Sequence, residues 1–269
     1  MPAALLRATA LELAILAGHM LLYPTGLTSE RPGPEHSPHT PGDPAEAAPA
    51  ARLAAPGPDH PPVLLLHGFA DNRSVFVLLR RSLARHGWRH LECLNHSPLT
   101  SDIRTAAELL GRHVEDIRDR TGRNQVDIVG HSLGGLIARY YIQCLGGDLR
   151  VRTLVTLGTP HSGTSAAPLA SAHPVVRQMR PDSAVIEELS RPAPDCRTRF
   201  VSFWSDLDQW MNPVETARLD HPDLVRKNIR VSGIGHLALP VHPAVAAAIR
   251  EALEENDSTA GPSGVISVA

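Results

Sequence analysis

The sequence has few of the features that mark several large classes of protein. Its 269 residues include three cysteines (Cys93, Cys144 and Cys196), too few for a disulfide framework and without the spacing of a metal site. Cysteines this sparse are mostly reduced, buried thiols. The formal net charge is −2 and no dense basic run occurs, so nucleic acid is not an expected partner, because phosphate binding needs clustered Lys and Arg. A phosphate-binding loop of the form G-x-x-x-x-G-K-[ST] is also absent.

Histidine is plentiful, yet its distribution does not predict a metal centre. Most of the 15 histidines stand beside Pro, Ser or Gly in loop-like contexts. His36 and His39 lie in a tract too rich in proline to hold a preorganised site. We therefore expect no bound metal. The composition, 42% hydrophobic and 20% charged, is that of an ordinary globular protein.

Composition divides the chain into four segments. Residues 1–23 are mostly apolar. Residues 24–61 are dominated by Pro, Ala, Gly and His, which is typical of an extended linker. Residues 62–255 have the length of one folded domain, and residues 256–269 are predicted to form a disordered tail.

The apolar N-terminal segment allows more than one interpretation. Residues 5–22 favour a helix, but only Arg7 provides a positive n-region and no A-x-A cleavage site follows Leu22. Glu12, near the middle, would make a membrane span less favourable by about 2.5–3.5 kcal/mol. Glu12 and His19 share one helical face, which also allows a helix that lies on a membrane surface or packs on the protein. We favour a signal peptide or membrane anchor, and with it a secreted or membrane-anchored, extracytoplasmic protein.

Within the predicted domain, short apolar runs alternate with amphipathic runs. Strands are predicted at residues 62–68, 90–95, 125–130, 151–160, 198–205 and 228–233, and helices at residues 74–87, 101–122, 133–145 and 242–255. This alternation predicts the α/β class, with a mostly parallel sheet covered by helices on both faces. Ligands of such sheets bind beyond the carboxyl ends of the strands.

One such strand end carries the pattern of a nucleophile elbow. Gly130-His131-Ser132-Leu133-Gly134 fits G-x-S-x-G and lies between a predicted strand and a predicted helix. The serine of an elbow is held in a strained turn, so the residues two before and two after it must be small. The helix that follows places positive partial charge beside a developing oxyanion. Ser132 is therefore the candidate nucleophile.

A nucleophilic serine needs a general base, which in this chain order comes last. His236 follows the predicted strand 228–233 in a glycine-rich turn and precedes the last helix, so it is the preferred base. His242, next to a proline at a helix start, is a better candidate for helix capping. His221 and His161 are weaker alternatives.

The base in turn needs a carboxylate to orient it. Asp206 and Asp208 both lie just past the predicted strand 198–205. We prefer Asp208, because Trp210 and Met211 are apolar positions able to pin its loop. Asp206 is then expected to serve a turn or a cap.

Acyl transfer also needs two backbone N–H donors where negative charge develops. The N–H of Leu133, which follows the nucleophile, is one candidate. The N–H of Phe69, in the loop after the first predicted strand, is the other. His67 is more simply explained as a structural hydrogen-bonding residue.

Five separated blocks resemble compact bacterial lipases of the α/β-hydrolase fold and occur in the same order. They are "PPVLLLHGF", "VDIVGHSLGG", "LVTLGTPHSGT", "FWSDLDQWMNP" and "VSGIGHLALP". The resemblance spans about residues 62–254 and implies Ser132 as nucleophile, Asp208 as acid and His236 as base. It also implies Phe69 and Leu133 as oxyanion-hole amides, and hydrolysis of acylglycerols or similar lipid esters without a cofactor.

The chain departs from the most compact members at its N-terminal segment and between residues 163 and 197. The longer stretch there has the composition of a short lid or acyl-pocket wall, or of a plain surface excursion. Two rival functions also stay open. One is an acyltransferase or lipid deacylase with the same three residues, and the other is a non-catalytic, membrane-tethered binding module.

Overall fold

A computed structural model describes residues 2–27, 60–69, 71–95, 102–166, 173–255 and 264–267. Within these residues seven strands form one sheet, in the order β2-β1-β3-β4-β5-β6-β7, and all neighbouring strands are parallel. The strands are β1 (Val63–Leu66), β2 (Leu91–Leu94), β3 (Val126–His131), β4 (Val151–Leu157), β5 (Arg199–Ser205), β6 (Val225–Ser232) and β7 (Gly264–Ser267). The predicted α/β class and parallel pairing are confirmed.

Helices cover both faces of the sheet. They are α1 (Pro2–Leu27), α2 (Val77–Arg85), α3 (Ile103–Thr121), α4 (Leu133–Cys144), α5 (Pro174–Gln178), α6 (Ala184–Leu189) and α7 (Pro243–Glu254), with single 3-10 turns at Arg73–Phe76, Gly147–Leu149 and Val214–Ala217. Side chains of α3, α4, α5 and α6 join one apolar cluster, and those of α2 and α7 join another. Successive residues of β1 point to opposite faces, so Leu64 enters the first cluster and Leu65 the second.

Helix ends follow local chemistry in the sequence. The side chain of Asp102 caps α3 by accepting a hydrogen bond from the amide of Thr105 at 2.7 Å, and α3 ends at Gly122 with a left-handed φ of 67°. His242 caps α7 by accepting from the amide of Ala244 at 3.3 Å. The expectation that His242 serves a helix start is thus confirmed.

The N-terminal helix α1 packs on the domain. The composition of this segment had favoured a signal peptide or membrane anchor over such packing. Ala8 is buried, Ile15 contacts the cluster beneath α2 and α7, and the Glu12 carboxylate accepts two backbone hydrogen bonds from the loop after β6. In the described residues, no helix reaches the length and hydropathy that a membrane span requires. Glu12 favours packing of α1 on the domain, because its carboxylate finds backbone hydrogen-bond donors there.

The predicted disordered tail needs one correction. Residues 264–267 form β7 and pair with β6, from Ile229↔Gly264 to Ser232↔Ser267. The run Val265-Ile266 is β-branched and supplies partners for the free edge of β6. The rest of the tail, and residues 28–59 of the predicted linker with His36 and His39, lie outside the described residues.

The stretch between residues 163 and 197 carries buried apolar side chains from two short helices. Val175 and Val176 of α5 and Val185 and Leu189 of α6 belong to the apolar cluster shared with α3 and α4. Where it is described, this stretch is therefore packed into the domain and is not a plain surface excursion. Its use as a lid stays a prediction.

A buried ion pair links β3, which leads to the elbow, to β4 beside it. The Asp127 carboxylate is fully buried and accepts two hydrogen bonds from Arg152, at 3.0 and 2.6 Å. Burial raises the pKa of Asp127, while Arg152 and, more weakly, Arg199 oppose that shift. A guanidinium that contacts both carboxylate oxygens compensates charge that water cannot reach.

We expect Arg152→Met to lower the free energy of unfolding by about 3–5 kcal/mol, because it removes the hydrogen-bonded partner of a buried charge. The matched control is Arg226→Met, which breaks the exposed pair with Asp220 and should cost about 0–1 kcal/mol. Urea denaturation of both variants provides the comparison. Equal losses would contradict a structural role for the Asp127–Arg152 pair.

Candidate active site

Ser132 occupies a strained backbone position between β3 and α4. Its φ of 52° and ψ of −119° make it, among the described residues, the one non-glycine residue with positive φ. Its amide donates to the carbonyl of Leu157 at 2.9 Å, and its carbonyl accepts from the Thr159 hydroxyl at 3.0 Å. These bonds to β4 and the loop behind it hold the turn in place. The predicted elbow geometry is therefore present.

Close backbone packing explains the glycines around Ser132. A Cβ on Gly130 would lie 2.5 Å from the Cα of Gly135, and one on Gly134 would overlap the carbonyl oxygen of Leu66. A Cβ on Gly135 would overlap the hydroxyl of Thr159. The prediction that small residues must flank the serine is confirmed, and Gly135 extends the requirement by one position.

His236 and Asp208 form a buried pair beyond the carboxyl ends of β6 and β5. His236 Nδ1 lies 2.7 Å from Asp208 Oδ2, and Asp208 Oδ1 accepts from the amide of Trp210 at 2.9 Å. A carboxylate only accepts hydrogen bonds, so Nδ1 carries the proton. The other ring nitrogen, Nε2, is then the one with a lone pair that can take up a proton.

Neighbouring groups fix the ring of His236. Trp210 stacks on it with ring centroids 5.8 Å apart, and the His131 ring lies 4.7 Å away at a tilt of 40°. Gly158, with a φ of 54°, packs so closely that a Cβ there would lie 2.8 Å from His236 Nδ1 and 3.0 Å from Asp208 Oδ2. Trp210, His131 and Gly158 therefore surround the ring of His236.

The electrostatics of the pair favour a basic His236. Burial alone lowers the pKa of His236, but the charge and hydrogen bond of Asp208, with weaker help from Glu12 and Asp71, raise it above the ordinary value of 6.5. Burial lowers the pKa of His131, and the nearby carboxylate of Asp71, 3.4 Å from Nδ1, only partly opposes this. Of the two adjacent rings, His236 is therefore the one suited to holding a proton.

The alternative acid and bases lie in other environments. Asp206 lies in the turn after β5, as expected, and its carboxylate pairs with Arg230 at 2.8 Å on a partly exposed surface. His221 contacts the carbonyl of Arg191 at 2.9 Å, and His161 is buried with Nε2 2.9 Å from the hydroxyl of Thr156. None of these contacts joins a histidine to a carboxylate.

The loop after β1 passes directly beside the elbow. A Cβ on Gly68 would lie 3.2 Å from the Cβ of Ser132, and His67 Nδ1 lies 2.8 Å from the carbonyl oxygen of Gly68. Phe69 follows in a bend, and Leu133 is the buried first residue of α4. The loop carrying Phe69 and the start of α4 carrying Leu133 therefore meet at Ser132. The oxyanion-hole role of their amides stays a prediction.

Four residues near the site were not singled out as site residues from sequence: Glu12, Asp71, His131 and Gly158. His131 fills the variable position of G-x-S-x-G, and Gly158 follows the fourth strand, so both positions carried a local signal. Asp71 and Glu12 carried none that points to the site, because their contacts depend on the fold. Among the described residues, no cluster of His, Cys, Asp and Glu has the arrangement of a metal site.

Comparison with known proteins identifies the fold that carries this site. Residues 61–182 match a family model described as the alpha/beta hydrolase fold. Over 114 residues, 39% of this chain, the sequence is 32% identical to triacylglycerol lipases of Pseudarthrobacter phenanthrenivorans and Burkholderia plantarii, covering 35% and 31% of those proteins. The chain thus spans about a third of the length of these relatives.

Solved structures show the same fold at lower identity. Mature Bacillus licheniformis lipase BlEst2 is 16% identical with a TM-score of 0.63, over 76% of this chain and 96% of that one. Aspergillus fumigatus lipase B is also 16% identical, with a TM-score of 0.65, over 77% of this chain and 55% of that one. The chain therefore has the α/β-hydrolase fold.

We expect Asp208→Asn to lower kcat by about 10²- to 10⁴-fold on a short p-nitrophenyl ester, the range that general acid–base catalysis supplies. Neutral His236 is the active form and its pKa is raised, so activity should rise with pH through a value above 6.5. Removing the Asp208 charge should move that acid limb to lower pH. The pH dependence of kcat/KM measures this shift.

Asp206→Asn is the matched control, since it removes the same charge two residues away. It should keep near-normal activity and the same acid limb. Retained activity in Asp208→Asn together with loss in Asp206→Asn would show that the acid is Asp206 and not Asp208.

Proposed function

We propose that this chain, an α/β hydrolase by fold, is a serine hydrolase of carboxylic esters, a lipase that acts on acylglycerols or related lipid esters. The observation that carries this proposal is the meeting of two costly features at one end of the sheet. These are the strained backbone of Ser132 and the buried Asp208–His236 pair. Strain and buried charge persist where function requires them.

The proposed reaction begins with attack of Ser132 Oγ on the ester carbonyl carbon while His236 Nε2 takes the hydroxyl proton. The charge of Asp208 stabilises the imidazolium that forms. The amides of Phe69 and Leu133 donate to the carbonyl oxygen as it becomes negative. The tetrahedral intermediate then expels the alkoxide, which leaves as an alcohol with the proton from His236, and Ser132 retains the acyl group.

Water completes the cycle through the same groups. His236 removes a proton from water, whose oxygen attacks the acyl carbon. Collapse of the second intermediate breaks the bond to Ser132 Oγ, which regains its proton from His236. The products are an alcohol and a carboxylic acid, and no metal or cofactor takes part in any step.

Two further observations support a lipid substrate. The relatives that match the chain are named triacylglycerol lipases. Trp210, stacked on His236, is 47% exposed, and Phe69 is half-buried with its ring 5.1 Å from that of His173. Trp210 beside His236 and Phe69 in the loop at Ser132 both offer apolar contact to an acyl chain.

An acyltransferase or lipid deacylase would use the same three residues, and no contact among the described residues favours it. A binding module without activity would need neither the strained backbone of Ser132 nor the buried Asp208–His236 pair. Labelling of Ser132 distinguishes an enzyme from a binding module, and the products formed distinguish a hydrolase from an acyltransferase.

We also propose that α1 places the protein on a lipid surface. The helix turns Ala8, Glu12 and Ile15 towards the domain, while leucines of its opposite face stay exposed: Leu6 at 70%, Leu13 at 62% and Leu21 at 81%. A helix with an exposed apolar face binds the boundary of a bilayer in proportion to the apolar area that it buries. An extracytoplasmic location stays a prediction.

Wild-type protein is expected to react with a fluorophosphonate at Ser132 and to hydrolyse p-nitrophenyl esters of graded chain length. Ser132→Ala should show no labelling and a loss of kcat/KM of at least about 10³-fold, as removal of an activated nucleophile does. Wild-type protein that the fluorophosphonate does not label would contradict the proposal that the chain is an enzyme. Labelling with acyl transfer to an added alcohol, and little free acid, would favour the acyltransferase.

Leu13→Ser and Leu21→Ser are each expected to weaken binding to phosphatidylcholine vesicles by about tenfold, since burial of a leucine contributes about 1.5–3 kcal/mol. Co-sedimentation with the vesicles measures the partition constant. Leu149→Ser, at a leucine 59% exposed on another segment, is the control and should bind like wild type. Equal binding by all the proteins would argue against α1 as the contact surface.

A further inference from the structure

We propose that Glu12 is a positioning residue that fixes the loop bearing the general base from the N-terminal helix. The inference rests on the proposed function, since it gives His236 the role of base. The carboxylate lies against residues 235–238, and Glu12 is 225 positions before Leu237 in the sequence. No local pattern in the sequence joins these two segments.

The contact uses both oxygens of the Glu12 carboxylate. Oε2 accepts from the amide of Leu237 at 2.9 Å, and Oε1 accepts from the amide of Ala238 at 3.0 Å. A Cβ on Gly235 would lie 2.7 Å from the carboxyl carbon, so the loop backbone approaches Glu12 as closely as a glycine allows. The two amides that directly follow His236 are thereby fixed by one rigid planar group.

The loop would be costly to hold without this carboxylate. Leu237 and Ala238 are buried, and a buried amide without an acceptor costs about 1–3 kcal/mol. On the other side of His236, the Ser205 hydroxyl donates to the carbonyl of Ile234. His236 therefore lies between two anchors, of which Ser205 belongs to the sheet and Glu12 to α1.

The same helix also contacts the loop of the acid. Gln209, the residue after Asp208, donates from Nε2 to the Thr9 hydroxyl at 3.1 Å. Thr9 and Glu12 are three residues apart, so they lie on neighbouring positions of one helix surface. Helix α1 thus connects the loops that carry both members of the Asp208–His236 pair.

Charge distinguishes positioning of the base from simple support of the fold. Glu12 faces His236 and Asp208, whereas His236 faces Asp208, Glu12, Asp71 and the ring of His131. Burial raises the pKa of Glu12, and its two amide bonds and the charge of His236 oppose that shift. Ionised Glu12 adds to Asp208 in raising the pKa of His236.

The test uses the full chain and four substitutions, the last of which is Glu12→Ala. Glu12→Gln keeps the shape and one acceptor oxygen but removes the charge. Thr9→Val removes only the bond to Gln209. Glu251→Gln is the matched control, because it removes the same charge from an exposed position on α7. NMR titration of the His236 ring and steady-state kinetics on a p-nitrophenyl ester provide independent readouts.

For Glu12→Gln we expect the pKa of His236 to fall, the acid limb of kcat/KM to move to lower pH, and kcat to drop about tenfold with KM within about twofold. That drop is smaller than the roughly 10²-fold loss that a misplacement of about 1 Å can cause. Thr9→Val and Glu251→Gln should leave the titration of His236 unchanged. Glu12→Ala should lower kcat further, and if it fails to fold, Glu12→Gln alone decides.

Glu12→Gln with the wild-type titration and wild-type kcat would overturn the inference. An equal shift in Thr9→Val would also overturn it, since docking of the helix and not the carboxylate would then be responsible. If the wild type hydrolyses no ester while the titration still shifts in Glu12→Gln, the proposed function fails and the coupling of Glu12 to His236 stands.

Discussion

The candidate site depends on the close approach of three backbone segments around Ser132. Strand β3, the start of α4 and the end of β1 meet with no room for side chains at Gly130 and Gly134. That approach forces the serine into a conformation that other side chains rarely adopt, and hydrogen bonds to Leu157 and Thr159 maintain it. Buried contacts across the sheet, such as the Asp127–Arg152 pair, supply the stability that offsets this local strain.

A second constraint acts on His236, the proposed base. Burial favours the neutral ring of His236, while the Asp208 carboxylate favours the charged ring, and the carboxylate prevails. The opposing effects give a histidine that binds a proton more readily than an exposed one without lying in water. Trp210, Gly158 and His131 restrict how the ring can turn, and Nδ1 bonds to Asp208, so Nε2 is the nitrogen left to accept a proton in the proposed reaction.

Much of this arrangement follows from local patterns. The strands were predictable because short apolar runs bounded by turn residues are typical of buried strands. The elbow was predictable because glycines lie two residues before and two residues after the serine. Asp206 and Asp208 are only two residues apart in the sequence. The course of the loop turns Asp208 towards His236 and Asp206 towards Arg230. From sequence alone, that preference rested on the neighbouring apolar residues and on a family resemblance.

Other parts could not be predicted because their cause is distant in the chain. The inward contact of Glu12 exists only once α1 lies on the loop after β6, and an apolar segment with one acid is equally typical of an anchor. Strand β7 lies beyond the last predicted helix, in a stretch whose composition is typical of a loose tail. The most direct test of the central claim is a pre-steady-state measurement with a p-nitrophenyl ester, followed by acid quench and peptide mass analysis. We expect an acyl group on the peptide containing Ser132, with a burst of one p-nitrophenol per protein where deacylation is rate-limiting. An acyl group on another residue would contradict the assignment of Ser132 as the nucleophile.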